Sequence, residues 1–312
     1  TWKPMNGMNN RAIPKEGFAV SGFTSVRGNL FAIVDSVYEE DEEEYVDYSR
    51  VYHTKDNGII WQIEDLDQIN DQGWWQIYSV ALVNDVLCLG TDNGVARRRF
   101  SDTAATVWNF PRDPAATGLT ESTAYRLVSN GSTLYAGTLG GVFRSGNQGL
   151  TWQSVNTGLT ATRPVAMTSV RGTVLAGTEG SGIFRSADNG ATWQQANNGL
   201  KGVFIGGFAT QGNTLYAGVY NDRTPGWANN GVFRSLDNGQ SWTLTSPFPR
   251  SSTDPRALRL QPDVSVIAAA DGTNEQNVLY AGTTLGGENY FYASTTSGLS
   301  WRLIELPSVL LE

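Results

Sequence analysis

The chain has 312 residues, of which 35 are Gly, 10 are Trp and 17% are charged, with a formal net charge of −8. The acidic balance argues against a nucleic-acid backbone as main partner. No apolar run reaches the length that spans a bilayer, and a lone cysteine, Cys88, excludes an intrachain disulfide. The single histidine, His53, argues against a His-rich zinc site or a Ser-His-Asp triad and stands only as an isolated candidate base. Many glycine turns, many large aromatics and short apolar runs predict an all-β chain.

In chain order, residues 1–17 read as a leading closure strand, because 1–9 (TWKPMNGMN) match the sequence that follows later repeats, such as 192–200 (TWQQANNGL). Residues 18–64 form a first four-stranded unit. Its loop over 35–47 carries an acidic run at 39–44, read as a solvated hairpin extension with a cation site as the alternative. It closes with 54–61 (TKDNGIIW), which holds Asp56, Gly58 and Trp61. The second unit, 74–110, opens on Trp74 and Trp75, carries Cys88 as a small core residue, and ends in a degraded turn at 101–108 (SDTAATVW), with Arg112 beyond it. The third unit, 122–155, contains GVFRSGNQGLTW at 141–152, with Gly149 and Trp152.

Arg163 precedes the fourth unit, 164–196, whose strands are expected at 164–170, 173–178, 182–186 and 192–196; its turn SADNGATW at 186–193 holds Asp188, Gly190 and Trp193. The fifth, 204–245, has a long polar loop with Asp222 and Trp227 and a turn at 235–242 with Asp237, Gly239 and Trp242. Arg250 and Arg256 lead into the sixth, 256–305, which closes on Gly298 and Trp301.

The closing tryptophans at 61, 108, 152, 193, 242 and 301 are 41 to 59 residues apart. That interval suits a four-stranded propeller blade of about 40–50 residues. The chain is therefore expected to be a single β-propeller domain over 1–312, with six antiparallel blades, or seven as the alternative. The recurrent Asp accepts hydrogen bonds from its own turn, Gly supplies positive φ, and Trp buries a ring between neighbouring blades. These turns are read as scaffold, as are Arg144, Arg185 and Arg234 at one repeated strand position.

The pattern Ser-x-Asp-x-Gly-x-Thr-Trp, intact at 186–193 and with Ser for Thr at 235–242, resembles the Asp-box (BNR) repeat. That repeat occurs in sialidase-type, sortilin-type and xyloglucanase-type propellers and in many secreted bacterial proteins. The resemblance implies export to a secreted, periplasmic or cell-surface location. It also places function on the face opposite the turns, where loops vary. Candidate ligand-binding residues on that face are Trp74, Trp75, Arg112, Arg163, Asp222, Trp227, Arg250 and Arg256. Trp227 is either a sugar platform or a cap on a blade edge, and the arginines either bind an anion or pair locally. A sialidase-like motif is broken in 11–14 (RAIP) by an inserted Ala.

The expected function is a monomeric, non-catalytic propeller that binds a glycan or protein ligand, without metal or cofactor. The alternative is a glycoside hydrolase using two loop-face carboxylates drawn from Asp35, Asp92, Glu179, Asp222 and Glu288. No catalytic pair is assigned. A propeller that assists assembly of a larger complex is the third expectation.

Overall fold

The computed structural model describes residues 19–26, 29–35, 37–39, 44–46, 49–54, 62–64, 66, 76–101, 108–111, 113–161, 163–200, 202–220, 230–249, 263–270, 278–285 and 288–304. They fall in two units, Thr1–Ser154 and Val155–Glu312, each with three large antiparallel sheets. The first sheet comprises β1 (Ala19–Val26), β2 (Asn29–Asp35), β5 (Arg50–Thr54) and β6 (Gln62–Ile63), and between β2 and β5 a small ladder pairs β3 (Val37–Glu39) with β4 (Glu44–Val46). The second is β7 (Ile77–Val83), β8 (Val86–Thr91) and β9 (Gly94–Arg99), with a fourth strand reduced to one bridge between Arg97 and Asn109. The third is β10 (Arg126–Asn130), β11 (Thr133–Thr138), β12 (Gly141–Ser145) and β13 (Gln153–Ser154).

In the second unit the sheets are β14 (Pro164–Val170) to β17 (Gln194–Gln195), β18 (Phe204–Gln211) to β21 (Thr243–Leu244), and β22 (Asp263–Ala270) to β25 (Arg302–Ile304), each in sequential order. Six such up-and-down sheets are the blades of an all-β propeller. No helix among the described residues is long and apolar enough to cross a membrane.

The second strands of the second and fourth sheets are buried throughout. TVLAGT over Thr173–Thr178 and VLCLGT over Val86–Thr91 are buried at every position, as expected of a strand packed on both faces. Burial raises the Cys88 thiol to about 12, so it stays protonated and inert. Within each unit the first strands of neighbouring sheets lie against one another, β7 against β1 and β10, and β18 against β14 and β22.

The turns between third and fourth strands share one hydrogen-bond pattern. Ser186 Oγ accepts from Gly190 N at 2.8 Å and donates to Asp188 Oδ1 at 2.7 Å, and Asp188 Oδ1 accepts from Thr192 N at 2.9 Å. The Ser235–Asp237–Ser241 set repeats this at 2.8 to 2.9 Å. Where the sequence is degraded the acceptor survives: Asn147 Oδ1 takes Thr151 N and Thr296 Oγ1 takes Ser300 N, both at 2.9 Å. Two successive residues adopt positive φ, Asn189 (57°) and Gly190 (83°), the primed geometry that suits a twisted hairpin.

The Thr192 hydroxyl and amide lower the Asp188 carboxyl to about 2, and Asp237 also lies at about 2 because its Ser241, Ser235 and Gln240 hydrogen bonds outweigh partial burial. A depressed carboxylate stabilises the fold above its unfolded value, and that contribution is lost as pH falls through about 2. Carboxyl-selective NMR titration is expected to show both residues still ionised at pH 3. Asp188→Asn should be near neutral at pH 7, because Asn147 already fills the equivalent place. Asp188→Ala should lose about 1 kcal/mol, read by urea denaturation.

Three of the closing tryptophans bond the chain that leads into their own sheet. Trp152 N donates to Thr117 O, Trp193 N to Thr157 O and Trp242 N to Asn198 O, all at 2.8 Å. The indoles of Trp193 and Trp242 reach Val155 O and Ala196 O at 2.7 and 3.0 Å.

The degraded turn of the second sheet has a different register from that expected. Leu87 pairs with Arg98, as Leu134 pairs with Ser145 and Val174 with Ser186. Arg98, not Ser101, therefore stands at the serine position, and Ser101 instead donates to Asp85 Oδ2. Ten residues separate Arg98 from Trp108, against seven between Ser145 and Trp152, so a longer connection was read as an eight-residue copy. Glu288 likewise opens strand β24 (Glu288–Ser294), and Asp35 closes β2, rather than lying in loops.

Candidate functional site

The end of each sheet opposite the eight-residue turns carries the start of the first strand and the turn between second and third strands. In the first unit, this end brings together Gln76, Tyr78, Asp92, Tyr125 and Arg126. The register between β7 and β8 shifts between Ile77 and Ser79, so Tyr78 is bulged. Tyr125 is placed alike, because its N–H bonds Gly137 O at 2.9 Å while Arg126 pairs with Gly137. Bulges re-aim side chains, and these two bring the tyrosine rings to a centroid distance of 5.1 Å at 52°. The approach of the two sheets depends on Gly90. A Cβ there would lie 2.4 Å from Ala124 O and 2.5 Å from Ser79 Oγ.

Backbone bonds then lock the cluster. Ala124 N donates to Thr91 O at 2.8 Å and Asp92 N to Gln76 O at 3.2 Å. Tyr78 Oη lies 3.1 Å from Gln76 Oε1. Arg126 Nη1 donates to Tyr125 O at 2.7 Å and Tyr78 O at 3.2 Å. Arg126 is half-buried, burial lowers its pKa, and no carboxylate among the described residues pairs with it. Asp92 moves the other way: burial raises its carboxyl, against the pull of the Asp92 and Gln76 backbone, and its Oδ1 is buried without a hydrogen-bond partner. Chemically, the cluster offers a guanidinium, a carboxyl whose pKa burial raises, an amide and two phenol rings.

Of the residues expected to bind ligand, Arg163 is described. It pairs with Glu179 at 2.8 Å, with the side chains 57% and 37% exposed, so its charge is locally answered by a pair of small energetic worth. Trp74, Trp75, Arg112, Asp222, Trp227, Arg250 and Arg256 lie outside the described residues, as do Asp56, Gly58 and Trp61 and the segment 1–17. Arg185 Nε donates to Asn238 O, in the turn of the next sheet, at 2.9 Å, and Arg144 Nη2 to Gln153 Oε1 at 3.3 Å.

A second polar cluster escaped the sequence reading. Glu64, 4% exposed at its side chain, sits 2.9 Å from His53 Nδ1 and 2.6 Å from Arg98 Nη2. Arg98 in turn stacks over Trp108 at 5.2 Å. Burial would raise the Glu64 carboxyl, but His53 and Arg98 outweigh it and hold the carboxyl below its ordinary range. The signal was a repeat mismatch. Glu64 N bonds Val51 O as Ala196 N bonds Ile183 O, so a carboxylate occupies a position that is apolar in the fourth sheet. This network joins the first and second sheets and is enclosed by them, which suits a structural part.

Known proteins give the same fold. The xyloglucanase of glycoside hydrolase family 74 from Xanthomonas campestris matches at a TM-score of 0.60 and 17% identity, covering 94% of this chain and 46% of that one. The chain thus spans about half the length of that enzyme structure. YCF48 from Cyanidioschyzon merolae matches at 0.56 and 11% identity, covering 93% and 88%. A structure of YCF48 bound to D1 peptide matches at 0.54 and 17%, covering 92% and 84%. No curated protein matches the chain. The model of the DUF6242 beta propeller domain matches residues 70–309, which takes in five of the six sheets, and the chain belongs to that family.

Proposed function

We propose that this is an exported, non-catalytic binding propeller that takes a glycan or protein ligand on the end of its sheets opposite the eight-residue turns. The observation that carries the reading is Arg126, half-buried and without a carboxylate partner among the described residues, beside the tilted Tyr78–Tyr125 pair. A buried cation left without a counter-charge is costly, and a site that holds one beside aromatic faces is suited to an incoming ligand. The resemblance of the turns to the Asp-box repeat supports export. Structural neighbours that include a xyloglucanase and a peptide-bound propeller are consistent with either ligand class.

A second reading, a glycoside hydrolase, draws on Asp92. A carboxyl raised by burial is the form that a general acid needs. Screening one set of oligosaccharides for both binding and hydrolysis separates the two readings. Binding without turnover is expected. Turnover that disappears in Asp92→Asn would replace the first reading with the second.

A further inference from the structure

We infer that the Gln76–Tyr78–Asp92–Tyr125–Arg126 cluster recognises a sugar acid, with Arg126 on the carboxylate and a tyrosine ring on the C–H face of the pyranose. The inference rests on the binding reading above and deepens it by naming the ligand class.

Three features of the cluster define its occupant. Arg126 spends Nη1 on the carbonyls of Tyr125 and Tyr78, which fixes the plane of the guanidinium. A guanidinium held in this way presents its remaining N–H groups as a fork, the geometry that matches a carboxylate. The ligand must therefore carry an anion. Next, Tyr78 and Tyr125 are half-buried and inclined at 52°, so they form a wedge rather than a flat shelf. With centroids 5.1 Å apart the rings pack on each other, so a sugar would lie against one tyrosine rather than between the two. Lastly, the Gln76 amide, whose Oε1 accepts from Tyr78 Oη, and the second oxygen of the Asp92 carboxyl are groups of the kind that hydroxyls require. One anion, one apolar face and several hydroxyls together describe a uronic acid residue.

An extended peptide fits less well. To add as a strand it would bond the exposed backbone edge of the first strands. The Tyr78 and Tyr125 carbonyls on that edge are already taken by Arg126. A neutral sugar would leave the half-buried guanidinium without a counter-charge among the described residues.

The test is calorimetric titration of the full chain with short oligomers of galacturonate and glucuronate. Each acid is paired with its carboxyl-reduced neutral counterpart, and a peptide with a free C-terminal carboxylate is titrated as a third probe. The acid form is expected to bind about ten- to a hundredfold more tightly than the reduced form. Arg126→Met should erase that difference without weakening the reduced form further. Arg126→Lys, which keeps the charge and loses the fork, should retain part of it and covers the case in which the Met variant does not fold. Equal binding of acid and reduced sugar, or binding of the peptide alone, overturns the inference while leaving a binding propeller. Failure of every probe to bind overturns the inference and the glycan arm of the binding reading together.

Discussion

Glu64→Ala is expected to cost about 3–5 kcal/mol of folding stability, because it strands the buried Arg98 guanidinium without its counter-charge. Chemical denaturation at pH 7 measures this directly. The effect belongs to the gap left by the missing partner, not to the ion pair as such. A double variant, Glu64→Val with Arg98→Ser, follows what neighbouring sheets hold at these positions, Val155 or Ala196 at the first and Ser145 or Ser186 at the second. It should therefore come out near neutral or more stable. If the double variant is as damaged as the single, the network does more than fill the seam.

The same carboxyl predicts a pH dependence. His53 and Arg98 hold it below its ordinary value despite burial, so the folded state binds its proton less readily than the unfolded one. Its contribution is complete above the unfolded glutamate value and is lost as pH falls toward the lowered one. Wild-type stability should therefore drop in that acidic window, and the double variant should show a shallower drop.

Gly158→Ala and Gly199→Ala are expected to be similarly damaging. Both glycines have positive φ, 84° and 86°, and a Cβ would stand 2.2 Å from Trp193 O and 2.0 Å from Trp242 O. Both atoms are backbone, and both tryptophans are hooked at that point through their own N–H to the residue before the glycine. The left-handed backbone and the clash together should cost about 2–5 kcal/mol. Thermal denaturation checks this, with Gly172→Ala as the control. Gly172 also has positive φ, 79°, but open space around its Cβ position, so its loss should be confined to about 1–2 kcal/mol of backbone strain.

The repeating parts of the fold were legible because they obey local rules. GVFRS recurs at 141–145 and 231–235 with the same burial, and the Ser, Asp and Gly of the turns act within eight residues of one another. What the sequence hid was whatever broke the repeat. The longer connection to Trp108 disguised Arg98 as something other than the serine equivalent. Glu64 is silent without its partners, because His53 lies in another strand and Arg98 in another sheet. The candidate site was half visible. The turns mark one end of each sheet as scaffold, and Arg126 lies at the other. Nothing in the sequence sets Arg126 apart, because it opens a strand rather than sitting in a loop. Tyr78 and Tyr125 were missed because a bulge cannot be seen in a run such as IYSVALV. Arg163 pairs with Glu179, the local-pairing alternative for that loop arginine.

Three backbone links made by tryptophans point one way. The donor is always the later tryptophan, and the acceptor carbonyl always belongs to chain already made, Thr117 before Trp152, Thr157 before Trp193 and Asn198 before Trp242. Nothing in these links requires a residue still to be synthesised. Each of these three links can therefore close once its own tryptophan has left the ribosome, without waiting for chain still to come.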